Sequence, residues 1–391
     1  MTSSLGTGTA APPAARPTDT GERLHVLDVL RGLALLGMIL VHFHGHSLDL
    51  DEGVDGLVRT ATWRLVEAKS HGTFALLFGA GFALQLRSAA ARGAPFARTY
   101  LRRLLVLALF GFAAHALFGF NVLLGYAAWA VPLLLIRSWS TRALIALAVA
   151  AAVSMALFSL LRGLAESASG IDGALAAQQA RQAIAAQVNG ALEAATAQSD
   201  YSLLLAARLD HMAWFYRQPF FWLPGATLIL FVAGMLAVRH RVFDDPRAHS
   251  RMLTAAIVFG VVAWAVANWL PRVFCVLGLL RDQWLTFSYV GGALLLFARW
   301  PRWLEWLGPI GQAGRMALTN YLLQIAVLDL LFSGYALHLG SVRPLVGVGL
   351  TLLLFGAEVV LSRAWLARFR FGPAEWAWRS LTHGRLQPMR R

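Results

Sequence analysis

The sequence predicts an all-α, polytopic membrane helical bundle of about ten transmembrane helices with both termini in the cytoplasm. Three observations predict it. Of the 391 residues, 58% are hydrophobic and 14% charged, about half the charge of a soluble globular domain. The mean hydropathy is +0.59, and apolar runs long enough to cross a hydrocarbon core of about 30 Å recur along the chain. The third observation is where the charge sits. Arginines gather in short stretches between apolar runs, and Lys69 is the only lysine among 34 basic residues. That is the positive-inside pattern of membrane proteins. A net charge of +14 would otherwise suggest a nucleic-acid binder, but its scatter along the chain excludes that partner and leaves the lipid bilayer.

The elements follow in order. Residues 1–22, "MTSSLGTGTAAPPAARPTDTGE", are small, polar and proline-rich, a composition that forms no core and predicts a disordered cytoplasmic tail. They have no basic n-region, so the first apolar run is expected to remain as a signal anchor. Residues 23–161 form an N-terminal five-helix membrane half, with spans centred on 26–43, 71–87, 104–118, 121–136 and 142–161. The third and fourth are joined by "GFN" as a tight helical hairpin. Residues 162–220 are a periplasmic helical connection. Its Ala- and Gln-rich stretch favours helix but is too poor in large apolar residues for a core of its own, so an exposed helix resting on the outer face is expected. The aromatic end, "HMAWFYRQPFFWLPG", anchors it at the interface. Residues 221–382 form a second five-helix half, with spans at 221–238, 252–270, 284–298, 317–333 and 345–366, and 383–391 is a basic cytoplasmic tail. "RSAAARGAPFARTYLRR" (87–103) has five arginines and no acid, whereas "DLDEGVDG" (49–56) has four acids and no base. The first fixes the inside face and the second the outside.

Ionisable residues within spans are functional candidates, because inserting each costs at least about 2.5 kcal/mol. Asp28 and Arg31 are i, i+3 and can pair on one helical face. His42 lies about 21 Å further along the same helix, near its outer end. His42 and His46 are i, i+4, but no carboxylate is placed to complete a metal site, and none is expected. His71, His115 and Asn121 come from three further spans and map to the same outer half, which points to a polar pocket there. The glycines of "LFGAGF" suit close helix packing. At the inner helix ends lie Arg31, Arg102, Arg103 and Arg315, with Asn320 and Gln324 at i, i+4 in "GRMALTNYLLQ". Arginines at such ends anchor topology and also suit the phosphates of an anionic ligand. Asp329 and Glu358 fall in spans nine and ten and require partners. Cys275 is a lone thiol in an apolar stretch, expected to be a small core residue.

Three segments carry a family resemblance. "LDVLRGLALLGMILV", "RRLLVLALFGFAAHALFGFNVLLGYA", and "GRMALTNYLLQ" with "RFRFGPAEWAWRSLT" resemble the motifs of the YeiB-like family of bacterial inner-membrane proteins, over residues 23–382. That family is similar to transmembrane acyltransferases of the heparan-glucosaminide N-acetyltransferase type. The resemblance implies acyl transfer from cytoplasmic acyl-CoA to an acceptor on the periplasmic side. Arg102, Arg103 or Arg315 would hold the CoA phosphates, His42, His71 or His115 would act as general base, and Asn121 would help stabilise the oxyanion. The chain departs from the family where His42 stands for the usual Asn and Asn121 for the usual Asp. Ser70 and Ile325 are further departures. These changes imply a different acceptor or a lost activity. Two other readings stay open: a transporter of an anionic or lipid-like substrate, supported by Glu358, and a non-catalytic membrane subunit beside a partner protein or a second copy of the chain.

Overall fold

The computed structural model describes residues 20–93, 96–168, 170–218, 221, 225–269 and 280–391. Most of the N-terminal tail and Cys275 lie outside the described residues. Among the described residues the chain has no named strand, and all its regular elements are helices. These are α1 (Thr20–Gly45), α2 (Gly53–Ala61), a π-helical turn (Thr62–Val66), α3 (Lys69–Ala91), α4 (Phe96–Phe118), α5 (Leu123–Ile136), α6 (Thr141–Ala168), α7 (Gly170–Thr196) and α8 (Tyr201–Arg217). The second half holds α9 (Ala226–Arg239), α10 (Ser250–Trp269), α11 (Arg281–Arg299), α12 (Pro301–Trp306), α13 (Gly308–Arg315), α14 (Ala317–Phe332), α15 (Pro344–Arg368) and α16 (Pro373–His383).

Each of the ten apolar stretches centres on a helix. Among the described residues, six segments are long and apolar enough to cross a membrane: His25–Gly45, Gly53–Ala91, Phe96–Phe118, Thr141–Ala165, Ser250–Trp269 and Pro344–Arg368. A seventh arises if α13 and α14, bent by 81° at Met316, count as one broken span. Helices α5 and α9 are apolar but shorter. The protein is therefore a membrane protein, with six to seven helices of spanning length among the described residues. Along α6, Ile145, Val149, Val153 and Leu157 are exposed at four-residue spacing and form an apolar stripe. In a membrane that stripe faces lipid.

Helices α1, α3 and α9 form the centre of the bundle. Leu30, Leu76 and Phe231 meet there in one core cluster with Tyr100 and Leu133. Backbone proximity sets the α3–α9 contact: a Cβ on Gly234 would lie 1.9 Å from the Leu76 carbonyl oxygen, so only glycine allows this crossing. The α4–α5 hairpin closes as expected, with Gly119 in the left-handed region at φ +95°. Asn121 fastens it. Its Nδ2 donates to the Gly111 carbonyl at 3.0 Å, and its Oδ1 accepts the Leu123 N–H at 3.1 Å.

The connection 162–220 contains more than an exposed helix. Helix α6 continues into it, α7 is largely exposed, and α8 packs onto α4. From α8 the buried Arg208 donates to the Asp329 carboxylate and, at 2.5 Å, to the Leu117 carbonyl. Ser333 and Tyr335 also donate to Asp329, at 2.5 and 2.6 Å. The acid of α14 is thus satisfied by a cation from the connection.

Candidate functional site

A cavity of about 810 Å³ lies between the two halves of the chain. One end carries Arg31, Arg92, Arg103, Arg315, Arg370 and Arg379 beside Asp28 and Glu375, with Arg92, Arg315, Arg370 and Arg379 exposed. The cavity walls are apolar, with Leu77, Phe78, Leu84 and Leu107. The opposite, closed end is formed by Met38, Phe74, Val122, Tyr126 and Tyr321, of which Met38, Tyr126 and Tyr321 are buried.

Three local arrangements build the arginine end. First, α13 lies against α1 so closely that a Cβ on Gly314 would stand 1.9 Å from the Asp28 carbonyl oxygen. This brings Arg315 beside the Asp28–Arg31 pair, whose Nη1 to Oδ1 distance is 2.8 Å. Second, Arg103 lies flat over the Trp378 indole, 3.6 Å from the ring centroid, a cation–π contact. The indole N–H in turn donates to the Arg103 carbonyl at 2.9 Å. Third, α14 and α16 cap each other. Glu375 Oε1 accepts the N–H groups of Leu318 and Thr319 at 2.7 and 3.1 Å. Thr319 Oγ1 accepts the N–H of Ala374 at 3.0 Å while its own proton goes to Glu375 Oε2 at 2.5 Å. Each helix start thereby receives an acceptor for its orphan N–H groups. Burial pushes the Glu375 carboxyl above the usual carboxylate range, and the Thr319 and Leu318 donors partly offset it. The two C-terminal motifs noted in the sequence are the two partners in this cap.

His42 and His71 do not line the cavity but stand against Tyr321 and Tyr126 of its closed end. Their ring centroids are 6.5 Å apart, and His42 is 6.0 Å from the ring of Tyr321. The Nδ1 atom of His42 is buried and has no partner among the described residues. Tyr126 donates its hydroxyl proton to the His71 carbonyl at 2.6 Å. The start of α3, which carries His71, is held from both sides. Ala68 has left-handed backbone at φ 61°, and the buried Lys69 pairs with Asp282 of α11 at 2.5 Å.

The sequence candidates fall into three groups. Arg31, Arg103 and Arg315 line the cavity, with His42 and His71 next to its closed end. His115 is buried elsewhere, 6.1 Å from His211 of α8, and the Nδ1 atoms of both rings lack partners among the described residues. Arg102, Asn320, Gln324 and Asn121 are not among the cavity-lining residues. Arg102 is exposed. Asn320 donates to the Ala313 carbonyl and to Ser362, both at 3.0 Å, and Gln324 to Glu358 at 2.8 Å. These last two bonds join α14 to α15 and supply the partner that Glu358 required. Of the "LFGAGF" glycines, Gly79 packs against α9 while Gly81 borders the cavity. Sequence reasoning missed Tyr100, Tyr321 and Trp378 and gave Tyr126 no role. The tyrosine in "TNYLLQ" and the one in "LLGYA" were visible signals, since each is a polar-tipped ring within an apolar run.

A helical membrane protein with a cation-lined internal cavity ending at a histidine pair is the class that fold and site define. Residues 237–385 match the family described as protein of unknown function (DUF418), and residues 23–161 match the catalytic domain of heparan-alpha-glucosaminide N-acetyltransferase. The chain is 29% identical to the uncharacterized protein YxaH of Bacillus subtilis (strain 168), over 96% of this chain and 98% of that protein. It is 30% identical to an uncharacterized 39.9 kDa protein in the amylase 3′ region of Bacillus acidopullulyticus, over 95% and 97%. It is 29% identical to the uncharacterized protein YeiB of Escherichia coli (strain K12), over 92% and 96%. The chain belongs to this DUF418 family of YeiB-like proteins and is related through its N-terminal part to transmembrane acyltransferases. No solved structure matches it.

Proposed function

We propose that this protein is an acyltransferase of the bacterial inner membrane that carries an acyl group from cytoplasmic acyl-CoA to an acceptor on the periplasmic side. In this reading all ten apolar helices span or enter the bilayer, with both termini inside. One observation carries it: the cavity runs from a cluster of arginines to a closed end backed by His42 and His71. The catalytic-domain match over residues 23–161 supports the same chemistry.

Arg103 and Arg315 are positioned for the phosphates of the donor, because guanidinium forks bind phosphate oxygens in pairs. The apolar walls suit the pantetheine arm and keep water from the thioester. Arg31 and His42 are eleven residues apart on α1, about 16 Å along the helix, a span an extended phosphopantetheine arm bridges. His42, with His71 beside it, takes the proton from an acceptor hydroxyl or amine. Asn121 acts through the hairpin that places Val122 at the closed end. His115, with His211, serves the outer approach under α8. The test is thermal stability of the purified protein with acetyl-CoA, longer acyl-CoAs and free CoA. A ligand at 100 times its Kd adds about 2.7 kcal/mol. Stabilisation by acyl-CoA that is lost in Arg103→Ala supports the reading, and no shift with any CoA species refutes it. The same cavity would serve a transporter of an anionic or lipid-like substrate, which predicts flux in proteoliposomes without an acyl donor.

A further inference from the structure

The acyltransferase reading leaves open which group stabilises the charge that develops on the acyl carbonyl oxygen, and the inference below rests on that reading. We propose that Tyr321 is a catalytic residue whose hydroxyl donates to the carbonyl oxygen of the acyl donor. Tyr321 is 3% exposed and lies at the closed end of the cavity beside Met38, Phe74, Val122 and Tyr126. Its ring stands against that of His42, so one group at this end takes a proton and the other can give a hydrogen bond.

The hydrogen bonding of the neighbouring groups singles out this hydroxyl. Tyr321 accepts the Val122 N–H at 3.3 Å, which fixes its oxygen, and no acceptor among the described residues takes its proton. Tyr126 has committed its proton to the His71 carbonyl. Asn121 has its amide nitrogen on Gly111 and its oxygen on Leu123, and it does not line the cavity. Among the described residues at the closed end, Tyr321 is the side chain with a hydroxyl proton still to place. A preorganised donor of this kind, shielded from water, stabilises the oxyanion without reorganising.

The acceptor oxygen or nitrogen attacks the thioester carbon, and its proton passes to His42. The carbonyl π pair moves onto the oxygen, where Tyr321 holds it. Collapse breaks the C–S bond, and His42 returns the proton to the CoA sulfur. His42 and Val122 belong to the region matching the acetyltransferase catalytic domain, and Tyr321 to the DUF418 region. The acyltransferase-like half is thus completed by the C-terminal half, which gives the DUF418 region a specific chemical task.

The test uses the full-length protein in lipid nanodiscs and a ketone analogue of acetyl-CoA, with a methylene in place of the thioester sulfur and a ¹³C label at the carbonyl. The bound C=O band is read by difference infrared spectroscopy for the wild type and Tyr321→Phe, with binding measured in parallel. Tyr321→Phe should keep the analogue's affinity within about twofold, move the C=O band to higher frequency, and lower the transfer rate about 100-fold or more, the usual effect of losing one oxyanion donor. Tyr335→Phe, which removes a hydroxyl held by Asp329 outside the cavity lining, is the control and should leave the band in place. An unchanged band in Tyr321→Phe would overturn the assignment while the acyltransferase reading stood. Failure of the analogue to bind the wild type would remove the acyltransferase reading and this assignment with it.

Discussion

Replacing Arg208 tests whether the connection between the two halves is a working part of the membrane body. The Arg208 side chain is 4% exposed and that of Asp329 2%. Removing the guanidinium leaves the carboxylate with the Ser333 and Tyr335 hydroxyls but without a counter-charge, and it also strips a donor from the Leu117 carbonyl. Breaking a buried pair from one side costs about 3–5 kcal/mol, most of it the price of the orphaned charge. Arg208→Ala should therefore destabilise by about that amount in SDS-titrated unfolding of the purified protein. Replacing both partners, as Arg208→Leu with Asp329→Leu, removes the orphan and should recover more than half of the loss. A loss below about 1 kcal/mol in Arg208→Ala, or no recovery in the double variant, would refute the view that α8 is locked to α14 through this pair.

Three further outcomes follow from the same structure. Glu375→Gln keeps an acceptor for the α14 cap without a buried charge, so its stability should stay within about 1 kcal/mol of wild type, whereas Glu375→Ala should lose about 1–3 kcal/mol through the unsatisfied N–H groups. Because burial raises the Glu375 carboxyl in the folded protein, its contribution is fully present below the unfolded carboxylate pKa and falls as pH rises through the folded value. Unfolding midpoints measured against pH should show that slope in the wild type and not in Glu375→Gln. Gly314→Ala places a methyl against the Asp28 carbonyl and should cost about 1–3 kcal/mol by overpacking, together with weakened acyl-CoA binding as Arg315 is displaced. Ala68→Gly relieves the left-handed backbone before Lys69 and should stabilise by up to about 1 kcal/mol, read by the same unfolding titration.

Helix positions were legible in the sequence because long apolar runs leave little choice of structure in a membrane. The depth of side chains was legible for the same reason, and it placed His42 and His71 at one level. Rotation about each helix axis was not. Asn320 and Gln324 do share a face, as their spacing requires, but the 81° bend at Met316 turns that face to α15 and away from the cavity. Four-residue spacing carries no information about such a bend. The role of the 162–220 connection was hidden for a different reason: its composition describes α7 well and α8 poorly. The available signal was Asp329, an acid in an apolar helix with no basic residue of its own, which called for a cation from another segment. The reciprocal cap between Thr319 and Glu375 joins residues 56 positions apart, and no local pattern reveals it.

The most direct test of the central claim is a structure of the protein in nanodiscs with a non-hydrolysable acyl-CoA analogue bound. The account predicts the phosphates between Arg103 and Arg315 and the acyl carbonyl at the closed end, within hydrogen-bond reach of Tyr321 and close to His42. A ligand bound with its phosphates away from these arginines, or an acyl group that stops short of His42, would contradict it.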